Sequence, residues 1–210
     1  IAWAVFSWKY FNVLTPYILV AIPVNLILWF IIIFFKKTAP YLALIYAVFE
    51  WVTLWIISSF FEKSYPWIVM QAVLLTFAVF MFMLLAYRTW IIQVNQKYIS
   101  IVASLTFAIF IVYMVSFIWN LSWWYKIPYI HGSWLVWIIF SVVVCVVAVL
   151  NLWIDFKNIE LWVELKAPKY MEWYLSFWLL VTLIWIYLEI LRLLLNKHKI
   201  LSNGNKKYIS

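Results

Sequence analysis

Apolar stretches of twenty or so residues recur along this chain, and they constrain it more than any other feature. "VLTPYILVAIPVNLILWFIIIFF" fills 13–35, and "YPWIVMQAVLLTFAVFMFMLLAY" fills 65–87. An apolar run of roughly 18 residues or more marks a membrane-spanning helix. Of the 210 residues, 70% are hydrophobic and only 10% charged. A water-soluble domain has too few apolar residues inside to hide so many, and too many polar ones outside to match so few. The chain therefore reads as one polytopic, all-α integral membrane domain over residues 1–196, with no soluble domain attached.

Short polar or proline-bearing stretches set the breaks. After an apolar stub at 1–8, the expected helices cover about 13–35, 40–61, 66–87, 98–119, 134–155 and 171–195. Counting the stub, that is a seven-transmembrane helix bundle with its first helix truncated, since the chain opens on Ile1 in what looks like the tail of a helix. Pro66 suits the first turn of its helix, where a missing N–H costs nothing. The basic segment 197–210 reads as a disordered tail. Seven alternating spans place Lys36, Lys37, Arg88, Lys97, Lys157, Lys166 and Lys169 on one side, against Lys9, Lys63 and Lys126 on the other. Basic loops stay in the cytoplasm, so the first group faces inward. The tail lysines argue the other way.

The net charge of +8 comes from 15 Lys and Arg between the apolar runs and in the tail. Basic residues there orient helices and meet anionic headgroups, so no nucleic-acid partner is expected. Cys145, the lone cysteine, can form neither an internal disulfide nor a cysteine metal site, and reads as a small buried apolar residue. His131 and His198 lack metal-ligand spacing. Nothing marks Ser58 or Ser59 as a nucleophile, and no glycine-rich phosphate loop is present.

Three carboxylates lie too deep to be ordinary. Glu50 sits mid-helix in "YAVFEWVTLW", Asp155 ends the apolar run "LNLWID", and Glu189 lies within "WIYLEILRLLL". A carboxylate at the centre of a span costs about 2.5–3.5 kcal/mol on insertion scales, so such groups face the bundle interior or a wet cavity and usually have a partner. Glu62, Glu160, Glu164 and Glu172 fall near helix ends or in connections, within reach of water. Two acids that approach closely share a proton and respond to pH, and their oxygens suit a hard cation such as Ca²⁺. The alternative is that each acid pairs with a Lys or Arg, or points toward the headgroups.

"MEWY" followed by "IYLEILRLL", together with "LNLWIDFKNIE" and the 65–87 run, resembles the Bax inhibitor-1 family, the transmembrane Bax inhibitor motif proteins, in its bacterial YccA-like branch. The likeness runs from about 40 to 196. It implies a seven-helix bundle with the last helix near its centre and a pH-sensitive Ca²⁺ leak controlled by two acids in the last two helices. Asp155 matches the acid that ends the sixth helix. Glu189 matches the acid of the seventh, where many members have Asp. The resemblance thus assigns Asp155 and Glu189 as the pH-sensing, ion-binding pair and as candidate Ca²⁺ ligands. Glu50, Glu172 and Arg192 are the supporting candidates. Arg192, at i+3 from Glu189, also suits a plain intrahelical pair. The stretch between Asp155 and Glu189 is longer than in the best-known members, which puts their direct contact in question.

Trp51 and Trp55 stand four apart right after Glu50, where relatives read Gly. Small residues at that spacing let membrane helices approach closely. Trp90, Trp137, Trp162 and Trp178 also fall where relatives favour small residues, whereas Trp173 and Trp185 fall where relatives have Trp. The chain has 17 Trp and 2 Gly, against a usual glycine content of about 7%. As a hypothesis, the source reads UGA as glycine and these positions are mistranslated. UGG codons at 51 and 55 would rule that out.

The residues and the resemblance together point to a pH-sensitive cation leak protein of a bacterial cytoplasmic membrane. It would carry Ca²⁺ or protons, work against the lipid bilayer and need no resident cofactor or catalytic residue. A non-catalytic membrane regulator that binds other machinery is the alternative. An intramembrane aspartyl-type protease would also use paired acids, but the glycine-bearing acid motif of such enzymes is absent around Glu189.

Overall fold

The computed structural model describes residues 20–89, 94–121 and 134–209. Among them every regular element is helical. The elements are α1 (Val20–Phe34), a 3₁₀ turn (Lys36–Thr38), α2 (Ala39–Ser64), α3 (Ile68–Arg88), α4 (Gln96–Leu121), α5 (Trp134–Glu164) and α6 (Tyr170–Ile209). Five helices are long and apolar enough to cross a membrane, and the described part of α1 is shorter. Six of the seven expected spans thus have a described helix, and the stub at 1–8 lies outside the described residues.

Local chemistry explains where these helices begin and end. Pro40 sits in the first turn of α2, where its missing N–H is no loss. Between α2 and α3 the Glu62 carboxylate accepts hydrogen bonds from the backbone N–H groups of Trp67, at 2.7 Å, and Val69, at 3.1 Å. An anion at a helix N-terminus satisfies orphan donors and complements the helix dipole. Glu62 is therefore a cap, a more specific job than that of a solvated charge. The Asn95 side chain caps α4 through the N–H of Tyr98, at 2.9 Å.

The sixth expected helix is longer than its apolar run. α5 continues nine residues past Asp155 and stops in a Schellman turn. Lys166 takes φ 50°, its N–H bonds the Val163 carbonyl, and the Ala167 N–H bonds the Trp162 carbonyl. Pro168 follows and bars continuation. Asp155 therefore lies inside a helix and does not end one, because "FKNIELWVE" carries no breaker before Lys166. α6 likewise runs beyond 195 to Ile209, so the described part of the basic tail is helical. His198 Nδ1 lies 2.9 Å from the Leu194 carbonyl oxygen within it.

The chain forms two compact units. The first is Ile1–Leu74 with Asn158–Val181, and the second is Leu75–Lys157 with Thr182–Ser210. In the first, Ile32, Ala39, Ala43, Tyr46 and Phe177 form a buried core, with Tyr46 and Phe177 edge to face at 5.0 Å. Trp178 packs against this core and meets Trp29 at 6.2 Å. In the second, Ile109, Val144 and Val147 are buried under Tyr113, Phe140 and Trp185. Ser141 and Ala148 are buried on the same helix as Val144. With so little glycine, Ala and Ser supply the small surfaces that close helix packing in lipid requires.

Large apolar side chains remain exposed along the spans, Leu74, Phe77 and Phe82 of α3 among them. Lipid covers such residues, so a helix here needs no polar face. Trp51 and Trp55 part company at this level. Trp55 is buried, whereas Trp51 is 61% exposed at the middle of α2, away from the span ends where aromatic belts form. Trp90 and the side chain of Trp137 lie outside the described residues.

Candidate functional site

The second unit holds both acids of the expected pair. Glu189 stands on α6 and is only 2% exposed. Tyr113, on α4, donates its hydroxyl to Glu189 Oε1 at 2.8 Å. Arg192, one turn along α6, reaches both carboxylate oxygens at 3.2 Å. Its guanidinium also donates to the Tyr113 hydroxyl and lies 5.2 Å from the centre of that ring. A buried carboxylate in lipid needs this kind of company. The i+3 pair expected from spacing is present, and Tyr113 extends it to a second helix. Arg192 itself is 46% exposed on its side chain, so the cluster joins a buried anion to an accessible cation.

Asp155 takes a different partner. Its carboxyl faces the Thr182 side chain of α6, and its Oδ2 is buried without a hydrogen-bond partner. Thr182 and Glu189 are seven residues apart, about two helical turns and ~10 Å along the axis, which puts both on one stripe of α6. The two acids therefore face the same side of the same helix without being each other's partner. The structure brings Asp155, Glu189 and Arg192 into one unit, with Glu189 bonded to Tyr113 and Arg192 and Asp155 set against Thr182. Among the described residues no group of three or more His, Cys, Asp and Glu side chains converges as metal ligands.

The other two candidates belong to the first unit. Glu50 Oε2 accepts a 2.6 Å hydrogen bond from Asn25 Nδ2 of α1. The same amide nitrogen lies 3.2 Å from Thr53 Oγ1, which in turn donates to the Phe49 carbonyl at 2.9 Å. Asn25 is 7% exposed, and its Oδ1 is buried without a partner. Glu50 thus faces a neighbouring helix, as its depth requires. Glu172 is exposed in the first turn of α6, where a negative charge complements the dipole.

The acids and the Arg192 partner of Glu189 are legible in the sequence, whereas Tyr113, Thr182 and Asn25 are not singled out by it. Tyr113, Thr182 and Asn25 each stand alone in an apolar run, "IVYMV", "LLVTLI" and "IPVNLIL". An isolated polar residue at span depth is the signal that could have found them, since each must find a polar partner inside the protein.

With the geometry in place, comparison with known proteins adds one finding. The model of the family described as Bax inhibitor 1 like matches residues 1–199. No curated protein and no solved structure gives a significant match.

Proposed function

Because this chain belongs to the Bax inhibitor 1 like family, we propose that it is a pH-sensitive cation leak protein, with Ca²⁺ as cargo, in a bacterial cytoplasmic membrane. The observation that carries the reading is the stripe of α6 that holds Glu189 and Thr182, the residue Asp155 faces. Ionisable groups inside spans mark ion and proton pathways by default. Here Glu189 and the Thr182 that Asp155 faces share one side of α6, about two turns apart. The transport itself needs no covalent step, so neither acid is a catalytic residue.

The chemistry differs from that of a shared-proton pair. Glu189 is locked by Arg192 and Tyr113. A proton arriving on its carboxylate removes the charge that holds the guanidinium, and Arg192 is exposed enough to swing away. Asp155 presents the buried Oδ2, an oxygen with spare acceptor capacity for a proton or a passing cation. A cation moving along α6 meets these carboxylates one after the other, bound weakly enough at each to leave again.

Ca²⁺ flux through the full chain reconstituted in liposomes, measured across a pH series, tests this. Asp155→Asn and Glu189→Gln each abolish the pH dependence. If both variants keep the pH response of the parent protein, the mechanism is wrong.

A further inference from the structure

The first unit holds an acid that the leak reading does not use. Glu50 stands in the middle of α2, and its carboxyl meets Asn25 of α1. The hydrogens around it can be counted. The Asn25 amide nitrogen has two, one directed at Glu50 Oε2 at 2.6 Å and one at Thr53 Oγ1 at 3.2 Å. The single hydroxyl hydrogen of Thr53 goes to the Phe49 carbonyl at 2.9 Å. That leaves Asn25 Oδ1, an acceptor on a buried side chain, with no donor. Turning the amide over is no remedy, because it sets Oδ1 against the carboxylate and takes both donors away.

The charge does not balance either. A carboxylate at mid-span needs a cation or a proton. Between Val20 and Phe34, α1 carries no charged residue. Among the described residues the bonded partner of Glu50 is the Asn25 amide, and no Lys, Arg or His pairs with it. Lys37 and Lys63, the nearest cations in sequence, are each ~20 Å away along the helix. Tyr46, one turn earlier on α2, is the other titratable group close to Glu50. Its ring is buried edge to face on Phe177 of the same core.

One hydrogen removes both deficits. We propose that Glu50 is a proton-binding site, held as a neutral acid in a two-point pair with the Asn25 amide. Oε2 is the carbonyl oxygen that accepts from Nδ2, and Oε1 carries the proton and donates it to Oδ1. A protonated carboxyl offers one donor beside its acceptor oxygen, and a primary amide is its complement. The two groups therefore close both bonds, and neither brings a charge into the span. The pair fastens α1 to α2 where lipid offers no partner to either group. The site stands apart from Asp155 and Glu189, which belong to the other unit, and does not depend on the leak reading.

Infrared spectroscopy of the full chain in lipid near neutral pH, read as the difference between the parent protein and its variants, tests the assignment. The parent shows a protonated-carboxyl carbonyl band that Glu50→Gln lacks and Asp155→Asn keeps. Asn25→Leu moves that band to higher frequency, because the carbonyl loses its donor. Stability gives a second reading. Glu50→Gln offers Asn25 the same two bonds with nothing to titrate. The unfolded chain gives up the Glu50 proton above about pH 4.3 and the folded chain keeps it, so folding of the parent takes up one proton. From there to neutrality the parent loses stability relative to Glu50→Gln as pH rises, by about tenfold in the unfolding constant per pH unit. Denaturant titrations in mixed micelles read that change. A missing band near neutral pH, a band unmoved by Asn25→Leu, or a stability difference that stays constant with pH would each overturn the proposal.

Discussion

Replacing Tyr113 with Phe removes one oxygen and leaves the ring in place, so its cost isolates the cluster at Glu189. The lost hydroxyl donates to a buried carboxylate at 2.8 Å and accepts from Arg192. A hydrogen bond to a charged group is worth about 1.5–3 kcal/mol in water-soluble proteins. Two considerations lower that figure. Arg192 is half exposed, so its share is screened. Side-chain hydrogen bonds measured within membrane proteins average about 0.6 kcal/mol, with a maximum near 1.7. Tyr113→Phe should therefore cost ~1.5 kcal/mol, near the top of the membrane range.

Tyr98 is the internal control, on the same helix and also partly buried. Its hydroxyl serves only the neutral Leu150 carbonyl, so Tyr98→Phe should cost about 0.6 kcal/mol. Denaturant titration of the purified chain in mixed micelles, followed by far-UV circular dichroism, measures both. A double-mutant cycle of Tyr113→Phe with Glu189→Gln should give a coupling of ~1 kcal/mol. If Tyr98→Phe costs as much as Tyr113→Phe, or the cycle shows no coupling, the cluster does not hold Glu189 as described.

Two further expectations concern the helix ends. Lys166 occupies the left-handed region at the end of α5, which costs a residue with a Cβ roughly 1–2 kcal/mol. Lys166→Gly should raise stability by about 0.5–1 kcal/mol after the glycine's own entropy is counted, visible as a higher denaturation midpoint. Glu62→Ala strips the cap from α3 and should cost ~1 kcal/mol, whereas Glu62→Asp or Gln should recover part of it; a loss-free Glu62→Ala would show that the cap does nothing.

Much of this protein was legible one residue at a time. The spans were, because lipid offers a backbone no hydrogen-bond partner and a long apolar run can only close its bonds as a helix. Glu50, Glu189 and Arg192 were, because a charge amid oil is conspicuous in any window. The end of α5 was less so. Asp155 looks like a boundary by hydropathy, yet the helix passes through the charged stretch to the turn at Lys166, since polarity ends a span without ending a helix.

Partner choice lay beyond that reach. Whether Glu189 meets Asp155 or Tyr113, and whether Glu50 meets Asn25, depends on the depth and rotation of one helix against the next. In a soluble helix an apolar stripe reports that rotation. Here every face is apolar, because lipid and protein interior are alike to the side chains, and the pattern is silent about which face turns inward. Run length and buried charge are properties of a line, and the sequence alone determined them. Which oxygen lies 2.8 Å from which hydroxyl is a property of packed helices, and only the tertiary structure decided it.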